Sequence, residues 1–124
     1  MYDKASLLEK LVQIDAAIVK IHRRFTLIKT ADDFLDSDQG MDMLDAIAMM
    51  LIAIGENFKK IDKETGGTLL VSYPHINWSG VKGLRDILSH QYFNIDAEEI
   101  FGICQEHLGL LDETVKQMMR TLTP

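Results

Sequence analysis

Three side chains in the stretch "GLRDILSHQYFNID", residues 83 to 96, carry chemistry that packing does not ask for: Arg85, His90 and Tyr92. Arginine presents a permanent charge and a planar fork of donors matched to phosphate. Histidine titrates near neutrality and moves protons. Together they suit cleavage of a phosphodiester without a metal. In a regular helix Arg85 and Tyr92, seven apart, share nearly one face. His90, five from Arg85, is turned away by roughly 140°. Bringing Arg85 and His90 to one bond then needs a helix that loosens near Ser89, a long reach by Arg85, or a two-fold pairing that supplies two of each to one groove. The plainer alternative pairs Arg85 with a helix-surface carboxylate and leaves His90 and Tyr92 to finish a helix C-terminus.

Other chemistries find little support. The four histidines, His22, His75, His90 and His107, form no metal-ligand pattern with one another or with a cysteine. "TGGT" lacks the lysine and following helix of a phosphate-cradling loop, and no G-x-S-x-G elbow is present. Cys104, the single cysteine, sits on an apolar seam and reads as a small buried hydrophobe. A lone cysteine makes no internal bridge and fits a reducing compartment. The longest apolar run, "AIAMMLIAIG", is too short to span a bilayer, and no signal peptide is read at the N-terminus. A cytoplasmic protein without membrane contact is expected. The net charge of −6 provides no global attraction for nucleic acid. Any polyanion must meet local cations: Arg23 with Arg24, Lys59 with Lys60, or Lys82 with Arg85.

The elements that must position these groups are helices. In 124 residues with only two prolines, apolar residues recur at alternating steps of three and four. Leu7, Leu11, Ile14, Ile18, Ile21, Phe25 and Ile28 mark a first helix over about residues 4 to 29, started by Asp3 or by a Ser6–Glu9 capping box. "TADDFLDSDQG" reads as a loop with at most one helical turn. Leu44, Ile47, Leu51, Ile54, Phe58 and Ile61 mark a second helix over about 40 to 63, closed by "ETGGT". Gly55 within it serves close packing or is there by chance. "LLVSYPHINW" has no helical period and reads as a connector over the bundle. Asn77 caps a third helix with Trp78, Val81, Leu84 and Leu88 facing inward. Asp96 with Glu99 opens a fourth, whose seam is Phe101, Cys104, Leu108, Leu111, Val115, Met118 and Leu122. The expectation is one all-α domain over 1–124, an antiparallel four-helix bundle with room for a short extra helix or turn.

The second half resembles the HepT-like family of HEPN proteins. The likeness runs through "SYPHINWSGVKGLRDILSHQYFNID" into the fourth helix, centred on the pattern R-x4-H-x-Y filled by Arg85, His90 and Tyr92. Asp86 fits the polar residue that often follows the arginine, and "IGE" at 54 to 56 looks like the family's second-helix signature. Gln91 and Ser89 depart from the usual glycine and apolar residue. The resemblance implies the toxin half of a toxin–antitoxin pair: a homodimeric, metal-independent RNase needing no cofactor. Arg85 would then stabilise the scissile phosphate, His90 would act as general acid or base, and Asp86 would orient one of them. The implied partner is a minimal nucleotidyltransferase antitoxin that attaches AMP to Tyr92, placing bulk and negative charge beside Arg85. A competing expectation is a non-catalytic helical subunit that binds nucleotide or substrate for such a transferase. A third is a plain helical dimerisation module.

Overall fold

Each apolar seam becomes a helical arm, and the ends of the arms are set by side chains that compete for backbone groups. A computed structural model describes residues 3–89 and 95–123. Helix α1 spans Lys4–Phe25 and starts at Asp3, whose carboxylate accepts from the Ala5 and Ser6 amides at 2.9 and 3.4 Å. Asp3, not Ser6, is therefore the cap. The helix stops short of residue 29 because the chain turns toward Asp33, whose carboxylate takes the Lys29 and Thr30 amides at 2.7 and 3.1 Å. Those two backbone bonds also hold the Asp33 carboxyl below its usual range. The acidic loop contains one 3₁₀ turn, Ala31–Phe34, which seats Phe34 fully in the core.

Helix α2 runs Asp38–Glu64 from a Ser37 cap, two residues earlier than the seam implied. It ends where Gly66 and Gly67 take φ of +59° and +79°, a region that side chains resist. The connector carries a short 3₁₀ turn, Leu70–Ser72, and the described residues contain no strand. Its end is fastened: the Trp78 indole N–H donates to the Tyr73 carbonyl at 2.9 Å, and the Trp78 ring packs on Phe58 of α2 at 4.8 Å between centroids.

The third arm differs from the single helix expected. Gly83, at φ −89° and ψ 1°, leaves the helical well and splits it into α3, Trp78–Lys82, and α4, Leu84–Ser89. Asn77 caps α3 as anticipated, accepting from the Gly80 amide at 3.1 Å. The fourth arm begins at Asp96, whose carboxylate accepts from the Glu98 and Glu99 amides. It too is interrupted: α5, Ala97–Gly102, passes through a π-helical turn, Ile103–His107, into α6, Leu108–Leu122.

Cross-links show the arms to be antiparallel. Lys10, near the start of α1, pairs with Glu64 at the end of α2, while Asn57 reaches back to Gln13. Lys116 bonds Asp15, and His22, further along α1, lies near Asp112, earlier in α6. Arg85 meets Glu56 and the earlier Lys82 meets the later Asp62. Ile14, Ile18, Ile47, Leu51, Phe58, Leu88, Val115 and Met118, from all four arms, are buried in one core. The chain is an all-α bundle. Among the described residues, no helix is long and apolar enough to cross a membrane.

Candidate active site

Three consecutive residues of α2 build the support on which α4 rests. Ile54 faces the core and is 1% exposed. Gly55 follows, and a Cβ there would lie 2.6 Å from the Val81 carbonyl oxygen and 3.4 Å from the Leu84 Cβ. Only a residue without a side chain lets the α3–α4 junction come this close, so Gly55 serves packing, not chance. Glu56 is next, and the close approach puts it within reach of Arg85. The Arg85 Nη1 donates to Glu56 Oε1 at 2.8 Å, while Glu56 Oε2 lies 3.5 Å from Lys59 Nζ. One turn further, Lys82 Nζ donates to Asp62 Oδ2 at 2.7 Å and ties α3 to the same face of α2.

These contacts set the electrostatics. The hydrogen bond from Arg85 holds the Glu56 carboxyl below its usual range, with Lys59 adding a through-space attraction. The same bond raises the Arg85 guanidinium, which also feels the Asp86 charge more weakly. The Arg85 side chain is 61% exposed and Glu56 29%, so the guanidinium stays open to solvent while bonded to the carboxylate. One bond through Nη1 occupies one of five guanidinium N–H donors. Arg85 can therefore hold Glu56 and offer its other donors to a phosphate.

Of the residues singled out from sequence, Arg85 and Asp86 stand exposed at the start of α4. His90 and Tyr92 lie outside the described residues. Among the described residues, Asp86 makes no hydrogen bond to Arg85; its influence there is Coulombic. The pairing of Arg85 with a surface carboxylate is what the plainer alternative anticipated, and the partner, Glu56, was given no role by its sequence position. It lies 29 residues upstream, and the only sequence signal was its place in the "IGE" string.

The other flank of α4 is apolar. Leu84 and Ile87 line an open cavity of about 250 Å³ together with Leu51, Val81, Ile103 and Leu111, with His75 and His107 also in its lining. The Thr114 hydroxyl lies 2.8 Å from the Leu110 carbonyl and within hydrogen-bond distance, 3.1 Å, of His75 Nε2. His75 is thus held by α6. Cys104 is buried and its thiol is pushed up to about 12 by desolvation, which removes it as a nucleophile at neutral pH. No group of three or more potential metal ligands gathers among the described residues.

Comparison with known proteins places the chain in a family. Residues 14–118 match the family described as ribonuclease HepT-like. The chain belongs to that family. Relatives occur in Methanocaldococcus jannaschii. One, named as a candidate RNase, is 32% identical over 79% of this chain and 89% of its own length. Another, named as a gamma-glutamylcyclotransferase and candidate RNase, is 28% identical over 84% of this chain. The match spans only 44% of that longer protein. A third candidate RNase is 34% identical over 64% of this chain and 60% of its own. No solved structure matches the chain.

Proposed function

We propose that this chain is an endoribonuclease and the toxin half of a toxin–antitoxin pair, cutting RNA without a metal through Arg85 and His90. The observation that carries the reading is an exposed guanidinium bonded to Glu56, within a family match that encloses the whole R-x4-H-x-Y string. In the proposed reaction the ribose 2′-oxygen attacks phosphorus and the bond to the 5′-oxygen breaks. The 2′-hydroxyl proton passes to a base and the leaving 5′-oxygen gains one, so the products are a 2′,3′-cyclic phosphate and a 5′-hydroxyl. His90 serves as that acid or base; in a homodimer the two copies divide the roles. Arg85 stabilises the charge that grows on the phosphoryl oxygens, and Asp86 orients one of the two.

The partner in this reading is a minimal nucleotidyltransferase acting in the cytoplasm. It transfers AMP to the Tyr92 hydroxyl, and the added phosphate beside Arg85 excludes RNA by bulk and like charge. Expression of the chain alone should arrest growth, and Arg85→Ala or His90→Ala should relieve the arrest. Co-expression with the transferase should add the mass of one or more AMP groups, lost in Tyr92→Phe. Harmless wild-type expression with intact cellular RNA would sink the toxin. The non-catalytic subunit remains as a rival because the Arg85–Glu56 pair also suits a structural arginine. It predicts transferase binding with no RNA cleavage by either form of Tyr92.

A further inference from the structure

The residue that meets Arg85 lies outside the motif and on another arm. We propose that Glu56 is a positioning residue for the phosphate-binding arginine: it fixes one edge of the guanidinium so that the remaining donors face an incoming phosphate. What Arg85 binds rests on the ribonuclease reading above; that Glu56 orders Arg85 does not.

Three features carry the inference. The bond is single and made by Nη1, so it restrains the guanidinium without consuming its fork. Glu56 is rooted in α2 beside Gly55, where the α3–α4 junction is pressed onto the helix backbone, so carboxylate and arginine rise from a contact with little freedom to drift. The second Glu56 oxygen lies near Lys59 Nζ. A bare carboxylate next to Arg85 would weaken phosphate binding; Lys59 offsets that charge and adds a second cation beside the site. Arg85 and Lys59 balance Glu56 and Asp86, so the cluster carries no net charge and a phosphate is drawn by the directed donors of Arg85, in a chain whose net charge is −6.

The opposite role makes opposite predictions. If Glu56 were a counter-ion that phosphate must displace, its removal would strengthen binding and speed turnover. The test uses the full chain with Glu56→Ala and Glu56→Gln, the latter keeping a hydrogen-bond acceptor without the charge. NMR of the Arg85 Nε–Hε group, assigned by its loss in Arg85→Lys, reports order directly, and titration with inorganic phosphate reports the free donors. Glu56 as a positioning residue predicts an ordered Arg85 in wild type and a mobile one in Glu56→Ala, with partial recovery in Glu56→Gln. Phosphate should shift the Arg85 signal more weakly in the alanine variant. In RNA cleavage kcat should fall about tenfold in Glu56→Ala, with KM and melting temperature little changed. Equal Arg85 mobility with and without Glu56, or a faster and tighter alanine variant, overturns the proposal. If wild type cuts no RNA the ribonuclease reading fails by itself, and the Arg85 signal still decides whether Glu56 positions it.

Discussion

Replacing Gly55 by alanine pits two forces of known sign against each other. Helix propensity favours alanine over glycine by about 1 kcal/mol in a helix interior. Gly109 in α6 shows that force alone, because a Cβ there meets nothing within 4 Å. At Gly55 the new methyl lies 2.6 Å from the Val81 carbonyl oxygen, about 0.7 Å inside the ~3.3 Å at which carbon–oxygen contacts begin. That oxygen is backbone, and α3 is fastened to α2 by the Trp78–Phe58 contact and the Lys82–Asp62 pair. It cannot swing aside as a side chain would. Overpacking of this kind costs about 1–3 kcal/mol, so the net loss is about 1 kcal/mol and the Tm falls by roughly 3–6 °C for a domain of this size. The opening also carries Arg85 away from Glu56, and misplacement by an ångström can cost about 100-fold in rate. Cleavage should drop by about tenfold or more in a variant that is still folded at assay temperature. Thermal unfolding by circular dichroism, with Gly109→Ala alongside, gives the comparison. Gly109→Ala should match or exceed wild type while Gly55→Ala melts below both. A Gly55→Ala protein as stable as the Gly109→Ala control, with Arg85 still bonded to Glu56, would refute the close-approach argument.

Two further outcomes follow from the titrating groups. Glu56 has a folded pKa below its ordinary value of 4.5, so its pairing stabilises the fold above the unfolded carboxylate value and is lost as pH falls through the lowered one. Carboxyl NMR should place its midpoint below 4.5, and Arg85→Met should move it upward; no movement would show that the bond is not formed in solution. Cys104, with its thiol pushed up to about 12 by burial, should resist thiol reagents at pH 8 and react fully once the chain is denatured. Rapid labelling of the native protein would show that the α5–α6 arm is open around it.

The spacing of apolar residues carried most of the fold. Seams such as Leu44–Ile61 and Leu108–Met118 became buried stripes because a seven-residue rhythm leaves a chain few other ways to hide them. The interruptions were not legible. Gly83 splits an arm whose inward residues keep their rhythm, and the π turn at Ile103–His107 changes hydrogen-bond register without disturbing the seam. Arg85 was singled out by its place in the R-x4-H-x-Y string; its type and spacing alone left the plainer pairing with a surface carboxylate open. Glu56 was not, since its meeting with Arg85 depends on two antiparallel helices touching at one glycine. The "IGE" string becomes explicable only in three dimensions: a core anchor, a place without a side chain, and the carboxylate that reaches the arginine.

The most direct measurement is cleavage of a short RNA by the purified chain in excess chelator, compared with Arg85→Ala and His90→Ala. The expected result is a 2′,3′-cyclic phosphate and a 5′-hydroxyl from wild type, with each variant slower by about 100-fold or more. Intact RNA with wild type, or variants that cut as fast as wild type, would contradict the account.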